Sequence, residues 1–191
     1  MFETLPFHLE TAFDTQSLHA YALHPLQVES ALLYLKSRLQ WFAPESSDYI
    51  HCLTQRALLR QLQQDFEGAI QDFEILIRYW ENQKLSEAPQ RLLSNRLRLA
   101  DTYHLAENFD KSNPAFEALL QESRHWPSDL QKAYGHFLWQ HAGKNAYAQG
   151  LWAKAADFFE KALSARERLN NPELIASSRL ALEQTRHKME P

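Results

Sequence analysis

The chain has 191 residues, of which 45% are hydrophobic and 23% charged, with a formal net charge of −4. This is the composition of a globular chain of one or at most two domains rather than of a disordered one. The slight acid excess, without a Lys/Arg cluster, argues against a nucleic-acid partner and against a polybasic membrane-surface mode, both of which need a basic face.

The first stretch, "MFETLPFHLETAFDTQ", carries Glu3, Glu10 and Asp14 but no Lys or Arg. It has neither the positive start nor the apolar run of a signal peptide. No apolar stretch approaches the roughly 18–20 residues that span a bilayer. A soluble, cytoplasmic protein is therefore expected. "DTQSLHAYAL" is predicted as a short helix and "QVESALLYLKSRLQWF" as a good amphipathic one. No segment alternates with period two, so strands are not expected. Residues 1–47 are assigned to an N-terminal helical cap, with a degenerate repeat as the alternative.

Pro44-Glu45-Ser46-Ser47 precedes a helix from about Asp48 to Gln63, with Ser47 as its expected N-cap. This helix holds Cys52, the only cysteine, so no internal disulfide can form. Its neighbour His51 projects about 100° away on a helix, which excludes a nucleophile–base pair and leaves a buried or half-buried structural thiol. Lys84 to Pro89 separates the next two helices. Asn113-Pro114 reads as N-cap and first helical residue, so that helix is expected to begin late. Trp126-Pro127-Ser128-Asp129 opens another helix, and Asn170-Asn171-Pro172 opens the last, which runs to about Lys188.

Three stretches share one skeleton: "DFEGAIQDFEILI", "NFDKSNPAFEALL" and "LWAKAADFFEKAL". Phe66, Phe109 and Trp152 recur at intervals of 43 residues. In the same register stand Ala69, Ser112 and Ala155; Phe73, Phe116 and Phe159; and Leu76, Leu119 and Ala162. The preceding helices align Leu53, Arg96 and Trp139, and Ala57, Ala100 and Gly143. Stacked helix pairs bury in common an apolar face that no single pair can cover. Small residues let paired helices approach, so a bulky residue at Gly143 is expected to overpack, whereas alanine is expected to be tolerated.

This pattern resembles the tetratricopeptide repeat family, W-x2-L-G-x2-Y followed by A-x3-F. The third copy matches it with Trp139, Ala142, Gly143, Ala146, Ala155 and Phe159. The second has Arg96, Leu99, Ala100, Tyr103, Ser112 and Phe116, and the first has Leu53, Arg56, Ala57, Arg60, Ala69 and Phe73. The period exceeds the family's usual one of about 34 residues, as in its extended-repeat members. The resemblance implies an all-α, right-handed α-solenoid of antiparallel helix pairs. Three repeats would occupy residues 48–170, flanked by the N-terminal cap and a C-terminal capping helix over residues 171–191.

No catalytic or cofactor-binding constellation stands out. The pairs His19/His24 and His136/His141 have the wrong helical spacing for chelation. There is no H-E-x-x-H, no Cys pair and no Gly-rich phosphate loop. Glu74/Arg78 and Asp157/Lys161 are i,i+4 pairs that mark solvated faces. In the resembled family the first helix of each repeat lines a concave groove for a partner's peptide or helix. On this chain the implied groove residues are His51, Thr54 and Leu58; Leu97, Asp101 and His104; and Phe137, Gln140, Lys144 and Tyr147, with Ser94 and Gln61 in the same columns. The chaperone-binding members' carboxylate clamp has no counterpart, since its places carry Thr54, Leu58, Leu97 and Gln140. The expected function is non-catalytic protein–protein interaction. A small chaperone or immunity-type inhibitor that sequesters one partner, and a self-associating structural subunit, are the alternatives.

Overall fold

The computed structural model describes residues 5–7 and 9–190. Of the expected N-terminal cap, residues 1–4 and 8 lie outside them. The described chain is helical throughout, apart from a two-stranded hairpin near its start. The described residues form two compact units, those up to 13 with 20–107, and 14–19 with 108–190.

The first unit contains strands β1 (Thr11–Phe13) and β2 (Ala20–Ala22) and helices α1 (Pro25–Trp41), α2 (Ser47–Leu62), α3 (Phe66–Glu81) and α4 (Ala88–Leu105). The expectation of a short helix at "DTQSLHAYAL", and of no strands, is corrected here. β1 and β2 pair antiparallel, Ala12 opposite Tyr21. The Asp14 carboxylate accepts the backbone N–H groups of Gln16 at 2.7 Å and Ser17 at 3.1 Å. That local turn competes with helix for the same N–H groups, and Leu18 then takes a left-handed φ of 60°. The expected N-cap shifts by one residue: the Ser46 hydroxyl accepts from the Tyr49 N–H at 3.2 Å, and Ser47 is the first helical residue.

Successive helices of this unit pack against one another, α1 on α2, α2 on α3 and α3 on α4. One core cluster holds Leu53, Ala57, Ala69, Phe73 and Leu76, all fully buried, and a second holds Val28, Ala31, Leu35, Cys52 and Leu59. Burial pushes the Cys52 thiol pKa up, which keeps it protonated and unreactive at neutral pH. A buried carboxylate ties α2 to α3. Asp72 accepts two bonds from Arg56, at 2.9 and 2.6 Å, and one from Arg60 at 2.9 Å. Arg60 also reaches the Gly68 carbonyl at 3.0 Å. Arg56 and Arg60 stand where the second stretch has Leu99 and Tyr103 and the third has Ala142 and Ala146.

The second unit contains α5 (Phe109–Ser123), α6 (Ser128–Ala148), α7 (Trp152–Leu169) and α8 (Pro172–Met189), again with successive helices packed together. The late start expected at Asn113-Pro114 is corrected. α5 begins at Phe109, capped by the Asn108 side chain on the Lys111 N–H at 3.3 Å, with Pro114 inside the helix. Asn113 is occupied elsewhere. Its Oδ1 accepts from Asn145 Nδ2 at 2.7 Å and from Gln149 Nε2 at 3.0 Å. Beside it, buried Ser112 donates to Asn145 Oδ1 at 2.6 Å. This polar ladder between α5 and α6 offsets the bond and the fit that a proline inside a helix forfeits.

Helices α3, α5 and α7 open at Phe66, Phe109 and Trp152. The residue two places before each, Gln64, Glu107 and Gly150, has a left-handed φ of 63°, 54° and 71°. Phe73, Phe116 and Phe159 are all buried, as are Ala69, Ser112 and Ala155. Gly143 corrects another expectation. A Cβ there would lie 2.6 Å from Phe159 Cε1 and 2.7 Å from its Cδ1, and Phe159 is fully buried, so alanine does not fit without displacing the ring.

Candidate peptide-binding cleft

In the first unit α2, the end of α3 and α4 leave a cleft of about 570 Å³. This lies within the size range of ligand-binding pockets, roughly 300–1,000 Å³. Amphipathic spacing on α2 brings Ile50, Thr54 and Leu58 to its wall, one turn apart, with His51 and Asp48 at the rim. α3 ends in Tyr79 and Trp80, whose rings meet edge to face at 4.9 Å. Trp80 is 8% exposed and gives the cleft an aromatic wall. The α3–α4 connection adds Leu85, 52% exposed, and Glu87. α4 adds Arg91, Ser94, Asn95 and Arg98, at i, i+3, i+4 and i+7. Asn95 donates to the Arg91 carbonyl at 2.8 Å, and Thr54 donates to the Ile50 carbonyl at 2.8 Å. An apolar wall with charged and amide groups at its edge suits an extended peptide with an aliphatic or aromatic anchor.

The cleft therefore gathers His51, Thr54, Leu58 and Ser94 from the expected groove. Leu97, Asp101 and His104 occupy another stripe of α4 and do not line it. Leu97 is 6% and His104 1% exposed, while Asp101 is half-buried. In the second unit Phe137 and Lys144 are half-buried, and Gln140 and Tyr147 are buried. Tyr147 packs edge to face on Trp152 at 5.0 Å. Gln140 is committed to the interior: its Oε1 accepts from Arg166 Nη1 at 3.0 Å and from Ser178 Oγ at 2.7 Å. Neither side chain is offered to a partner in this conformation.

Arg166 organises the interior of the second unit. It is 2% exposed, and its other acceptors are the Leu174 carbonyl at 3.0 Å, Ser178 Oγ at 2.8 Å and His136 Nδ1 at 3.4 Å. All are neutral. The guanidinium also lies 5.9 Å from the Phe137 ring centre, a favourable cation–π distance. Burial lowers the Arg166 pKa to about 10, and burial together with the adjacent guanidinium lowers that of His136 to about 4. His136 thus stays neutral near pH 7 and accepts the Arg166 Nε–H.

Trp80, Leu85, Arg91 and Arg98 were missed by the sequence reading. The residues from Lys84 to Pro89 read only as a breaker, although the polar stripe Arg91, Ser94, Asn95 and Arg98 was visible at helical spacing. Among the described residues no three His, Cys, Asp or Glu side chains converge to hold a metal ion. No helix of the described chain is long and apolar enough to cross a membrane. A scan against protein-family models finds no match to this chain, and no curated protein matches it at a significant level.

Proposed function

We propose that the chain is a non-catalytic protein-binding module that takes an extended segment of another protein into the α2–α3–α4 cleft. The observation that carries this reading is the lining of the cleft. A 570 Å³ recess joins Trp80 and Leu58 to Arg91, Arg98, Asn95 and His51, so one wall can hold an apolar side chain while the other receives backbone and charged groups. With it we propose the tetratricopeptide-like architecture, three helix pairs in a right-handed stack. Two features support it: the left-handed turns at Gln64, Glu107 and Gly150, and the buried aromatics Phe73, Phe116 and Phe159.

The test uses Leu85→Asp combined with Arg91→Glu. Both positions are exposed, so the double variant should keep the wild-type circular dichroism and melting temperature. A partner retained from native lysate by the wild-type chain should bind the variant at least tenfold more weakly, and an exposed α6 control, Lys132→Ala, should retain it. Full retention by the cleft variant, or loss of binding only together with loss of fold, would defeat the reading.

A further inference from the structure

Among the described residues the three most exposed large apolar side chains all lie on α1: Trp41 at 83%, Leu26 at 77% and Leu33 at 68%. The helix buries Val28, Ala31 and Leu35 on the face toward α2. On the opposite face, steps of about 100° per residue align Leu26, Ser30, Leu33 and Ser37 in one stripe. The stripe alternates leucine with serine, that is, knob with hollow. The Ser30 hydroxyl already donates to the Leu26 carbonyl at 2.9 Å, so covering it would orphan no donor.

Two charges flank the stripe on the same side. Glu29 and Lys36, both exposed and seven residues apart, lie along one edge. A second α1 running antiparallel faces each edge with its own like edge, so Glu29 meets Lys36 of the second copy and Lys36 meets its Glu29. A parallel partner would instead set this edge against the opposite one, which carries Tyr34 and Trp41, and make neither pair. We propose that α1 is a self-association face, pairing antiparallel with α1 of a second copy about a two-fold axis near residues 32 and 33. Around that axis Leu33 of each copy packs beside Leu33 of the other, Leu26 falls just past the other's Ser37, and Trp41 covers the α1 start of its mate. Such an isologous contact closes on itself as a dimer. A helix of 17 residues is about 25 Å long, which places the interface at the small end of stable ones, so the dimer should be concentration-dependent.

Sedimentation velocity of the full chain from about 1 to 100 µM, the range in which a small interface dissociates, tests this. The wild type should pass from monomer to dimer. Leu33→Asp should remain monomeric with unchanged helicity, since Leu33 is solvent-facing. Glu29→Lys and Lys36→Glu should each weaken self-association about tenfold. An equimolar mixture of those two should form a heterodimer as tight as the wild-type dimer, because the mixture restores both ion pairs. A wild-type chain that stays monomeric throughout overturns the proposal and leaves the face to a different protein. So does a dimer that survives Leu33→Asp, or a mixture no tighter than its components.

Discussion

Gly143 and His136 lie on the same helix, and each is governed by one buried neighbour. Gly143 stands in α6 where the Phe159 ring comes within 2.6 Å of the place a Cβ would occupy. Helix propensity alone favours alanine there by about 1 kcal/mol, but overpacking a rigid buried ring costs about 1–3 kcal/mol. Gly143→Ala should therefore destabilise the chain in urea unfolding. Gly135→Ala, which meets only the end of the Gln131 side chain at 3.1 Å, should be neutral or slightly stabilising. His136 makes a different prediction. Its pKa is about 4 in the folded chain and near 6.5 unfolded. Above about pH 6.5 the ring is neutral in both states and contributes no pH dependence. As pH falls from there to about 4, the unfolded chain binds a proton that the folded one refuses. Stability is then lost by about 3 kcal/mol. Replacing the ring by His136→Gln should remove most of that loss, read as a smaller difference between unfolding free energies at pH 7 and pH 4. An equal loss in both chains would mean that His136 protonates freely in the fold.

At the scale of elements the α-hairpin turns carry the most information. α2 ends with the Asp65 N–H on the Arg60 carbonyl at 2.9 Å, and α6 ends with the Leu151 N–H on the Ala146 carbonyl at 3.0 Å. Both are the six-to-one bond that closes a helix through a left-handed residue. Only Gly150 adopts that φ without a Cβ penalty, while Gln64 and Glu107 carry it as side-chain-bearing residues. Gly150→Ala should destabilise the chain by about 1 kcal/mol, and Gln64→Gly should stabilise it by a similar amount. Paired thermal melts decide this, and melts unchanged in both variants would show that the turns relax to another geometry. Helices α3 and α7 were legible beforehand because the apolar period that marks them acts within a few residues. Asn113-Pro114 misled for a tertiary reason. The Asn113 side chain is bonded to Asn145 and Gln149, more than thirty residues away, and so is not available as a cap.

At the scale of the whole molecule, the sequence by itself determined the helical class, the register in which Phe66, Phe109 and Trp152 recur, and the aromatic and small residues that are buried. All of these follow from hydrophobic period and capping, which neighbouring residues decide among themselves. The candidate site was legible only in part. His51, Thr54 and Leu58 fell in the cleft, because one helix face is set by its own periodicity. Which stripe of α4 faces them was decided by how α4 packs on α3, and beside the expected Ser94 it was Arg91, Asn95 and Arg98 rather than Leu97, Asp101 and His104. Tertiary structure alone also turned Gln140 inward, since Arg166 and Ser178 reach it from α7 and α8. It likewise joined Arg56 and Arg60 to Asp72 across α2 and α3. A charged or amide side chain reads as surface until a partner far along the chain desolvates it. Burial of such groups is favourable only when that partner arrives in hydrogen-bonding geometry, and no local pattern encodes the arrival.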